Sequence, residues 1–410
     1  MLDIKFIRED PKIVQKGIDN KGVDFSVDKF LEIDSKLQEY NLELQKLLEQ
    51  RNKFAKERNI EKGRKTADLL RKKTAEILPF KKKWDELYLQ IPNLPKADVK
   101  VGKNDTENEV LRKVGEPTKF SFKPKDHLEL GEKLDIIDVV RASKISGTRF
   151  YFLKNEAVLL EFALRELAFE LLIKEGFIPI IPPVMVKTEV MKGLGYMENG
   201  GDEDMYIFEK DDLVLVGTSE QSIVAMHRDE VLNSKDLPKR YVGFSTCFRR
   251  EAGSYGKDTR GILRVHQFDK VEMVSFVKQG EDDKEQEYLL SLEEKLLQAL
   301  NLPYQVVKMC TGDLGYPVAR KYDLEVWIPS ENKYRELTST STTTDFQARR
   351  LSIKYQDGNE KKFVNILNGT AFSTRPIIAI LENYQNEDGS ISIPEILQKY
   401  IGKSIKKKQN

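Results

Sequence analysis

Two neighbouring stretches decide the fold of this chain: TCFRREAGS at residues 246–254 and GILRVHQFDKVEM at residues 261–273. The first carries Arg249 two residues before Glu251 in a segment that its composition predicts to be a strand. The second alternates polar and apolar side chains, a pattern typical of a strand. A loop rich in Gly, Ser and Lys, residues 252–261, separates them. The sequence therefore predicts a strand, a loop and a second strand.

The side chains on these strands suit a nucleotide. Alternate residues of a strand point to one face, so Arg249 and Glu251 can meet the same ligand. A guanidinium binds phosphate through a fork of donors, a carboxylate can accept from an exocyclic amine, and Phe268 can stack on a base. An isolated Arg-x-Glu pair is more often a surface ion pair. No P-loop run G-x-x-x-x-G-K-[ST] occurs, so the hypothesis is an ATP site of another type.

Other motifs in a fixed order support this hypothesis. VGTSEQ at residues 216–221 precedes the two strands, and YDLEVW at 322–327 and RELTSTS at 335–341 follow them. LNGTAFSTR at 367–375 leads into an apolar helix start. With these motifs, the sequence closely resembles the seryl-tRNA synthetase family. The phrases RVHQFDKVEM, CTGDLGYPVARKYDLEVW, TDFQARR and AILENYQ carry the resemblance, which extends from Met1 to about Ile401.

The resemblance implies an α+β fold, in which a class II synthetase catalytic core, an antiparallel sheet flanked by helices, follows an N-terminal antiparallel helical hairpin. The expected division is a tRNA-binding domain at residues 1–105 and a catalytic domain at 106–410. The implied activity is that of an ATP-dependent serine–tRNA ligase. Such an enzyme forms seryl-adenylate and then charges tRNA(Ser). Members of the family generally charge tRNA(Sec) as well, so this activity is also implied. The helix at 161–176 is implied to form a homodimer interface.

The resemblance also assigns roles to residues. The implied catalytic residues are Arg249 at the α-phosphate, Arg375 at the γ-phosphate and Glu336. Glu336 and Ser339 are implied to hold Mg²⁺, which prefers oxygen ligands. The residues implied to bind ATP are Arg249, Arg250, Glu251, Val265, Phe268, Glu336, Leu337, Thr338, Ser339 and Arg375. Those implied to bind serine are Thr218, Ser219, Glu220, Arg249, Glu272 and Thr370, with Glu272 and Thr370 receiving the side-chain hydroxyl.

One stretch departs from the family pattern. Between Asn368 and Arg375 the chain is one residue shorter than the common form, and Pro376 follows the arginine directly. The helix that carries Arg375 is therefore expected to begin differently. The roles of Arg375 and Thr370 depend most on this stretch.

Residues 28–90 show two long helical patterns. Apolar residues recur at heptad spacing in both halves, which predicts an antiparallel hairpin with a break near Gly63. Between residues 51 and 73, ten basic side chains face three acidic ones. Such a run is usually a solvated face, but at the end of a hairpin it suits phosphate contacts. The expected tRNA-binding residues are Arg51, Lys53, Lys56, Arg58, Lys62, Arg64, Lys65, Arg71, Lys72 and Lys73.

Bulk composition narrows the function classes. The 410 residues carry a formal net charge of +1, so attraction to nucleic acid must be local. Two cysteines and three scattered histidines exclude a disulfide framework and predict no zinc site. No apolar run approaches the roughly 20 residues of a membrane span, and the charged start lacks a signal-peptide core. A cytoplasmic enzyme is expected.

Two other functions stay open on the sequence. One is a synthetase-like ligase that charges a carrier protein; such relatives are expected to lack the basic hairpin, which this chain has. The other is a non-catalytic homologue, which would be expected to lose Arg249, Glu336 or Arg375. All three are present.

Overall fold

The structure, a computed structural model, describes residues 1–198, 200–252 and 260–407. The centre of the predicted loop, residues 253–259, lies outside the described residues. By its internal contacts the chain forms two compact units, Met1–Leu94 and Pro95–Asn410. A functional boundary after residue 105 stays a prediction.

The first unit is helical. Its helices are α1 (Ile4–Glu9), α2 (Pro11–Asn20), α3 (Val27–Lys56) and α4 (Ile60–Leu89). The two long helices α3 and α4 pack against each other along the predicted heptad positions, with Tyr40 and Phe80 rings 5.3 Å apart. The predicted helical hairpin is therefore confirmed.

The predicted break near Gly63 is wrong, because Gly63 lies inside α4. The turn is at residues 57–59, where Arg58 has a φ of +55°. Asn59 begins the second helix: its side chain accepts a hydrogen bond from the Lys62 backbone N–H at 3.2 Å. A single glycine in a helix destabilises it by only about 1 kcal/mol, whereas an Asn cap satisfies an otherwise unpaired N–H.

A buried carboxylate ties three helices of this unit together. Asp34 of α3 is 2% exposed. It accepts hydrogen bonds from the Arg8 guanidinium of α1 at 2.8 and 2.9 Å, from Trp84 Nε1 of α4 at 2.9 Å and from Gln38 at 2.6 Å. Burial alone would raise the pKa of Asp34, but these donors hold it below its ordinary value.

The second unit combines strands with helices. Its strands are β1 (Glu109–Val114), β2 (Ile137–Asp138), β3 (Phe152–Leu153), β4 (Ile178–Ile180), β5 (Met185–Lys187), β6 (Ile207–Phe208), β7 (Leu213–Leu215), β8 (Val231–Asn233), β9 (Lys239–Phe248), β10 (Gln267–Val277), β11 (Tyr304–Lys308), β12 (Arg320–Ile328), β13 (Lys333–Thr344), β14 (Lys354–Asp357), β15 (Glu360–Phe363), β16 (Asn365–Ser373), β17 (Ile391–Ser392) and β18 (Ser404–Ile405). Its α-helices are α5 (His127–Lys133), α6 (Val139–Ser146), α7 (Glu156–Lys174), α8 (Thr188–Leu194), α9 (Glu220–Ala225), α10 (Asp282–Ala299), α11 (Phe346–Leu351), α12 (Arg375–Asn383) and α13 (Gln398–Ile401).

Within the described residues, the central sheet has eight strands in the order β1-β11-β12-β13-β16-β10-β9-β4. Neighbouring strands are antiparallel except β4 and β9, which are parallel. Helices α7, α10 and α12 pack against the sheet and share its main apolar core. This arrangement confirms the predicted α+β fold with an antiparallel sheet.

The strands at the centre of the sheet are the long ones. β9, β10, β12, β13 and β16 each run for 9 to 12 residues, which gives both faces room for a core and for a site. A β-bulge between Val271 and Glu272 shifts the register with β16, so that Glu272 lies directly opposite Thr370. Among the described residues, no helix is both long enough and apolar enough to cross a bilayer.

Candidate active site

A cavity of about 490 Å³ opens on the central sheet. Its walls come from the end of β9, from β10, β12, β13 and β16, and from the start of α12. The segments before β9 that hold Tyr196 and Thr218 close another side. Because the five strands are adjacent in the sheet, side chains that are far apart in sequence meet in one concave space.

One part of the cavity combines an aromatic ring with a guanidinium. The Arg249 guanidinium lies 5.3 Å from the centroid of the Phe268 ring, and both residues line the cavity. Arg249 Nε and Nη2 donate to the Gly217 carbonyl at 3.3 and 3.2 Å, which fixes the direction of the side chain. A flat ring beside an oriented cation can hold a base and a phosphate at once.

The prediction that Arg249 and Glu251 lie on a strand is wrong. β9 ends at Phe248, and Glu251 has a left-handed φ of +54°. Both side chains nevertheless line the same cavity. The Arg149 guanidinium donates to the Glu251 carbonyl at 3.2 Å, and Arg264 Nη1 lies 3.4 Å from Glu251 Oε2. Contacts outside the sheet, rather than strand alternation, therefore position Glu251.

A second part of the cavity is a small polar pocket around Glu272. This carboxylate is 2% exposed. It pairs with Lys270 Nζ at 2.8 Å and accepts a hydrogen bond from Thr370 Oγ1 at 2.9 Å. Lys270 and Thr370 are themselves buried. A ligand hydroxyl that enters here finds an acceptor and donors already held in place.

A second buried carboxylate, Glu220, stands beside this pocket. Tyr196 OH donates to Glu220 Oε1 at 2.9 Å, Gln347 Nε2 donates to the same atom at 3.3 Å, and the Asn368 amide donates to Oε2. Burial raises the pKa of Glu220, and repulsion from Glu272 adds to this effect. An ammonium group bound between the two carboxylates would stabilise their ionised forms.

A third part of the cavity is rich in ion pairs. Arg375 Nη1 donates to Glu336 Oε2 at 2.9 Å and to the Glu336 carbonyl at 3.0 Å. Lys321 Nζ lies 3.8 Å from Glu336 Oε1 and 3.0 Å from Asp323 Oδ1. Burial alone would raise the pKa of Glu336, but Lys321, Arg375 and Arg249 hold it below its ordinary value. The Glu336 carboxyl is therefore an anion beside three cations.

Although the stretch before Arg375 is shortened, the arginine lies at the start of α12 and lines the cavity. Arg375 is the first residue of α12, and Pro376 lies in the first turn, where its missing N–H removes no helical hydrogen bond. The helix thus begins at the arginine. Both Arg375 and Thr370 line the cavity.

Most of the predicted site residues line this cavity, and two do not. Ser219 is fully buried and packs toward Gly243. Arg250 is exposed, and its backbone N–H donates to the Asp204 carbonyl at 2.9 Å. The predicted residues that line the cavity are Thr218, Glu220, Arg249, Glu251, Val265, Phe268, Glu272, Glu336, Leu337, Thr338, Ser339, Thr370 and Arg375.

Sequence reasoning missed several residues in contact with the predicted groups, among them Lys270, Lys321, Tyr196 and Asn368. Lys270 and Lys321 each lie two residues from a carboxylate of the same strand, Glu272 and Asp323, so strand alternation could have found them. The other two, Tyr196 and Asn368, reach Glu220 from distant parts of the chain, and no sequence spacing reveals such contacts.

The predicted tRNA-binding residues all lie on α3, α4 and the turn between them. Nine of the ten are exposed. Lys73 differs, because its ammonium lies 3.2 Å from Glu43 and 5.6 Å from the centre of the Tyr40 ring. Lys73 therefore joins the two helices of the hairpin to each other.

Comparison with known proteins first gives the class. The family model described as the tRNA synthetase class II core domain (G, H, P, S and T) matches residues 206–384. The model of the Seryl-tRNA synthetase N-terminal domain matches residues 1–95. The serine–tRNA ligase of Dictyoglomus thermophilum is 44% identical, with 98% of each chain covered. That of Thermobifida fusca is 43% identical over 99% of this chain and 98% of its own. The chain belongs to the seryl-tRNA synthetase family.

Solved structures agree with this membership. The seryl-tRNA synthetase of Pyrococcus horikoshii, solved in complex with ATP, superposes with a TM-score of 0.94 and 39% identity over 100% of both chains. The cytoplasmic serine–tRNA ligase of Naegleria fowleri, solved with AMP, gives a TM-score of 0.90 and 33% identity over 100% of this chain and 99% of its own.

Proposed function

We propose that this protein is a serine–tRNA ligase that uses the cavity on its central sheet for both steps of the reaction. The observation that carries the proposal is the arrangement of that cavity. A base-and-phosphate region at Phe268 and Arg249, a hydroxyl-reading pocket at Glu272 and an ion-paired region at Glu336 and Arg375 line one cavity. Family membership supports the same reaction.

In the first step a carboxylate oxygen of serine attacks the α-phosphorus of ATP. The bond between the α-phosphorus and its bridging oxygen breaks, and diphosphate leaves with the bond electrons. Both reactants are anions, so the protein must mainly supply cations and alignment. Arg249 neutralises the α-phosphate, and Arg375 binds the γ-phosphate. Phe268 stacks on the adenine, with Glu251 accepting from its amino group.

In the second step a hydroxyl of the terminal adenosine of the tRNA attacks the carbonyl carbon of seryl-adenylate. The ester to the ribose forms, the bond from the carbonyl carbon to the phosphate oxygen breaks, AMP leaves with the bond electrons, and the hydroxyl proton passes to a phosphate oxygen of the departing AMP or to water. The same cavity serves, because the adenylate stays held at Arg249 while the diphosphate end is vacated.

The acidic residues of the cavity fit a magnesium ion. Among the described residues, no three His, Cys, Asp or Glu side chains are grouped to hold a metal ion alone. Mg²⁺ commonly binds through one or two protein oxygens together with substrate phosphates and waters. The ionised, partly exposed Glu336 and the nearby Ser339 are suitable ligands. When bound with ATP, Mg²⁺ would withdraw charge from the phosphates.

Serine is selected by its hydroxyl. Alanine lacks that group and would make no hydrogen bond with the buried Glu272 and Thr370, and sites that hydrogen-bond a substrate hydroxyl can discriminate by up to about 10⁴–10⁵. Glu220 and Thr218 bind the amino group. Threonine carries the same hydroxyl, so its exclusion must depend on contacts around its extra methyl group.

The hairpin binds the tRNA. Its exposed basic residues contact phosphates, which position an RNA without reading its bases, and helical RNA is recognised mainly by shape. The partners are tRNA(Ser) and, by the same contacts, tRNA(Sec). The concentration of positive charge between residues 51 and 73 in a chain of net charge +1 supports this role.

The protein acts in the cytoplasm as a homodimer. Large apolar side chains on α7 are exposed, with Leu159 at 47%, Phe162 at 50% and Ile173 at 47%. A helix that exposes such a face commonly meets a partner. A second copy of the chain is the partner that the family resemblance implies.

The function is tested by exchange of labelled pyrophosphate into ATP without tRNA, comparing serine with threonine, alanine and glycine. Serine alone is expected to support exchange. Exchange with another amino acid would contradict the roles of Glu272 and Thr370. No exchange with any of them would favour a non-catalytic homologue. Charging of tRNA(Ser) rather than a carrier protein is then measured directly.

A further inference from the structure

A buried histidine holds the backbone of one wall of the cavity. His127, the first residue of α5, is 8% exposed and is not among the described residues that line the cavity. Its Nε2 atom lies 3.3 Å from the backbone nitrogen of Ile262, a residue that does line the cavity. Resting on the proposed function, we propose that His127 is a positioning residue for ATP, because it fixes the backbone that places Ile262 and Val265 against the nucleotide.

The first argument is the direction of the hydrogen bonds. The Ile262 N–H donates to Nε2 of His127, so this ring atom is an acceptor and carries no proton. The ring proton therefore lies on Nδ1, which donates to Glu382 Oε1 at 3.0 Å. The carboxylate of Glu382 thus selects the tautomer of His127 that can hold Ile262.

The second argument is that Glu382 is held at both of its oxygens. It is fully buried on α12, where Oε1 also accepts from the His127 backbone N–H at 3.0 Å and Oε2 accepts from the Ser330 backbone N–H at 3.1 Å. The same helix begins, about two turns earlier, with Arg375, which lines the cavity. One helix therefore positions the cation for the γ-phosphate and, through His127, the wall at Ile262.

The third argument is the residue before Ile262. Gly261 has a φ of +82°, a left-handed conformation that favours glycine. A Cβ atom added at Gly261 would collide with the His127 ring. The backbone therefore approaches the imidazole as closely as only a glycine can, and the hydrogen bond to Ile262 depends on both residues.

The wall that His127 holds adjoins the part of the cavity assigned to the adenine. Ile262, Leu263 and Val265 line the cavity, and between them Arg264 Nη1 lies 3.4 Å from Glu251 Oε2. A wall that is fixed before the nucleotide arrives does not have to be ordered by it, which favours binding. Loss of the hydrogen bond should therefore weaken the binding of ATP and AMP alike. Such a loss appears in KM for ATP rather than in kcat.

The test compares two substitutions of His127 in serine-dependent pyrophosphate exchange by the full chain. His127→Asn keeps an amide donor in the place of Nδ1, within reach of Glu382, but has no atom in the place of Nε2. It is expected to raise KM for ATP about fivefold, the effect of one lost hydrogen bond, and to change kcat less than about twofold. His127→Gln places an amide oxygen in the place of Nε2 and is expected to restore most of the affinity. A role confined to packing α5 against α12 predicts the opposite order of the two variants, and that order, or an unchanged KM in His127→Asn, would overturn the proposal.

The matched control is His227→Asn. His227 is equally buried, and its two ring nitrogens contact Glu230 Oε2 at 2.7 Å and the Tyr241 hydroxyl at 2.9 Å. It is not among the cavity-lining residues that the structure describes. Its replacement is expected to leave KM for ATP unchanged. A rise equal to that in His127→Asn would indicate a general effect of losing a buried histidine and would overturn the proposal.

Calorimetry gives a second readout. His127→Asn is expected to weaken the binding of AMP about fivefold and to leave the binding of inorganic pyrophosphate, which lacks the adenine, unchanged. Equal weakening of both ligands would overturn the positioning role. If the wild type neither bound AMP nor catalysed exchange, the proposed function itself would fail.

Gly261→Ala tests the contact from its other side. The added Cβ should displace the His127 ring from Ile262 and weaken the binding of AMP. Because both substitutions break the same hydrogen bond, the double variant Gly261→Ala/His127→Asn is expected to bind AMP no more weakly than Gly261→Ala alone. Fully additive effects would overturn the contact between His127 and Ile262 as the cause.

Discussion

At the scale of single residues, the amino-acid pocket is organised by Glu272. Its two partners, Lys270 and Thr370, both contact the Oε2 atom of the carboxylate, and all three side chains are buried. The pocket is therefore formed before any ligand arrives. Such preorganisation lets a single hydroxyl decide binding, since it must match groups that cannot turn away.

Replacement of Glu272 by alanine is expected to lower kcat/KM for serine in pyrophosphate exchange by about 10²-fold or more. The reason is the loss of a hydrogen bond to a charged group, worth about 1.5–3 kcal/mol, together with an unpaired Lys270 left in the pocket. AMP binding should be retained. Glu360→Ala, an exposed glutamate of β15, is the control. Normal serine turnover by Glu272→Ala would contradict the assignment.

Glu220 is expected to make serine binding sensitive to pH. Its pKa is raised by burial and by Glu272, so the carboxylate that binds the substrate ammonium is lost at a higher pH than for an ordinary glutamate. KM for serine should therefore rise as the pH falls toward that raised pKa. Glu220→Gln is expected to bind serine weakly at every pH. A pH profile of KM that is identical in the wild type and in Glu220→Gln would refute this prediction.

Residue-scale prediction from sequence succeeded where strand alternation applied. Phe268 and Glu272 lie on β10 and both line the cavity, as predicted. It failed for Tyr196, whose contact with Glu220 depends on how a distant segment packs. It also failed for Arg250 and Ser219, which are next to cavity residues in sequence but do not line the cavity. Residues that are adjacent in a sequence motif can point their side chains in different directions.

At the scale of elements, helix α7 carries an unusual buried acid. Burial raises the pKa of Glu161 to about 8, with repulsion from Asp269 adding to the effect and Arg165 opposing it. Its Oε2 atom is buried and has no hydrogen-bond partner among the described residues. The folded state therefore keeps a proton on Glu161 near neutral pH.

This proton links stability to pH. Between the ordinary value of 4.5 and about 8, the folded chain binds one proton more at Glu161 than the unfolded chain. Stability should thus fall as the pH rises, by up to about 1.4 kcal/mol per unit from this group. Glu161→Gln is expected to lose this part of the slope. Chemical denaturation at about pH 5 and about pH 8 measures it, and equal slopes for both proteins would disprove the prediction.

Element boundaries show why sequence reasoning was incomplete. The heptad pattern predicts the α3–α4 hairpin, but the turn lies before Gly63, because the side chain of Asn59 caps the second helix. Similarly, β9 ends one residue before Arg249. Apolar periodicity locates a packed element reliably because burial dominates its stability. Ends depend on local hydrogen bonds, which composition does not reveal.

At the scale of the whole molecule, a nearly neutral chain concentrates its positive charge. Ten of the basic residues lie between positions 51 and 73, against three acidic ones, while the formal net charge is +1. Exposed pairs such as Lys65 with Glu61, 2.8 Å apart, contribute little to stability. These side chains are therefore free to exchange partners with phosphates.

Charge reversal in the hairpin is expected to separate the two steps of the reaction. Arg64→Glu should raise KM for tRNA several-fold. It should also make the dependence of log KM on log salt concentration shallower, by about the amount that one phosphate contact contributes. Serine-dependent pyrophosphate exchange, which needs no tRNA, should stay unchanged. Lys12→Glu, an exposed change on α2, is the control. Equal tRNA kinetics for the wild type and Arg64→Glu would argue against the hairpin as the tRNA-binding element.

The pairing of Glu336 with both Arg375 and Lys321 has a consequence for how the nucleotide enters. In the free protein these cations are already neutralised. The incoming phosphates must displace the Glu336 carboxylate from these cations. Binding is therefore an ion exchange, in which about as many ion pairs break as form. Dissolved salt screens both sides of such an exchange similarly. Salt concentrations that dissociate the tRNA from the hairpin should therefore change the affinity for the nucleotide only slightly.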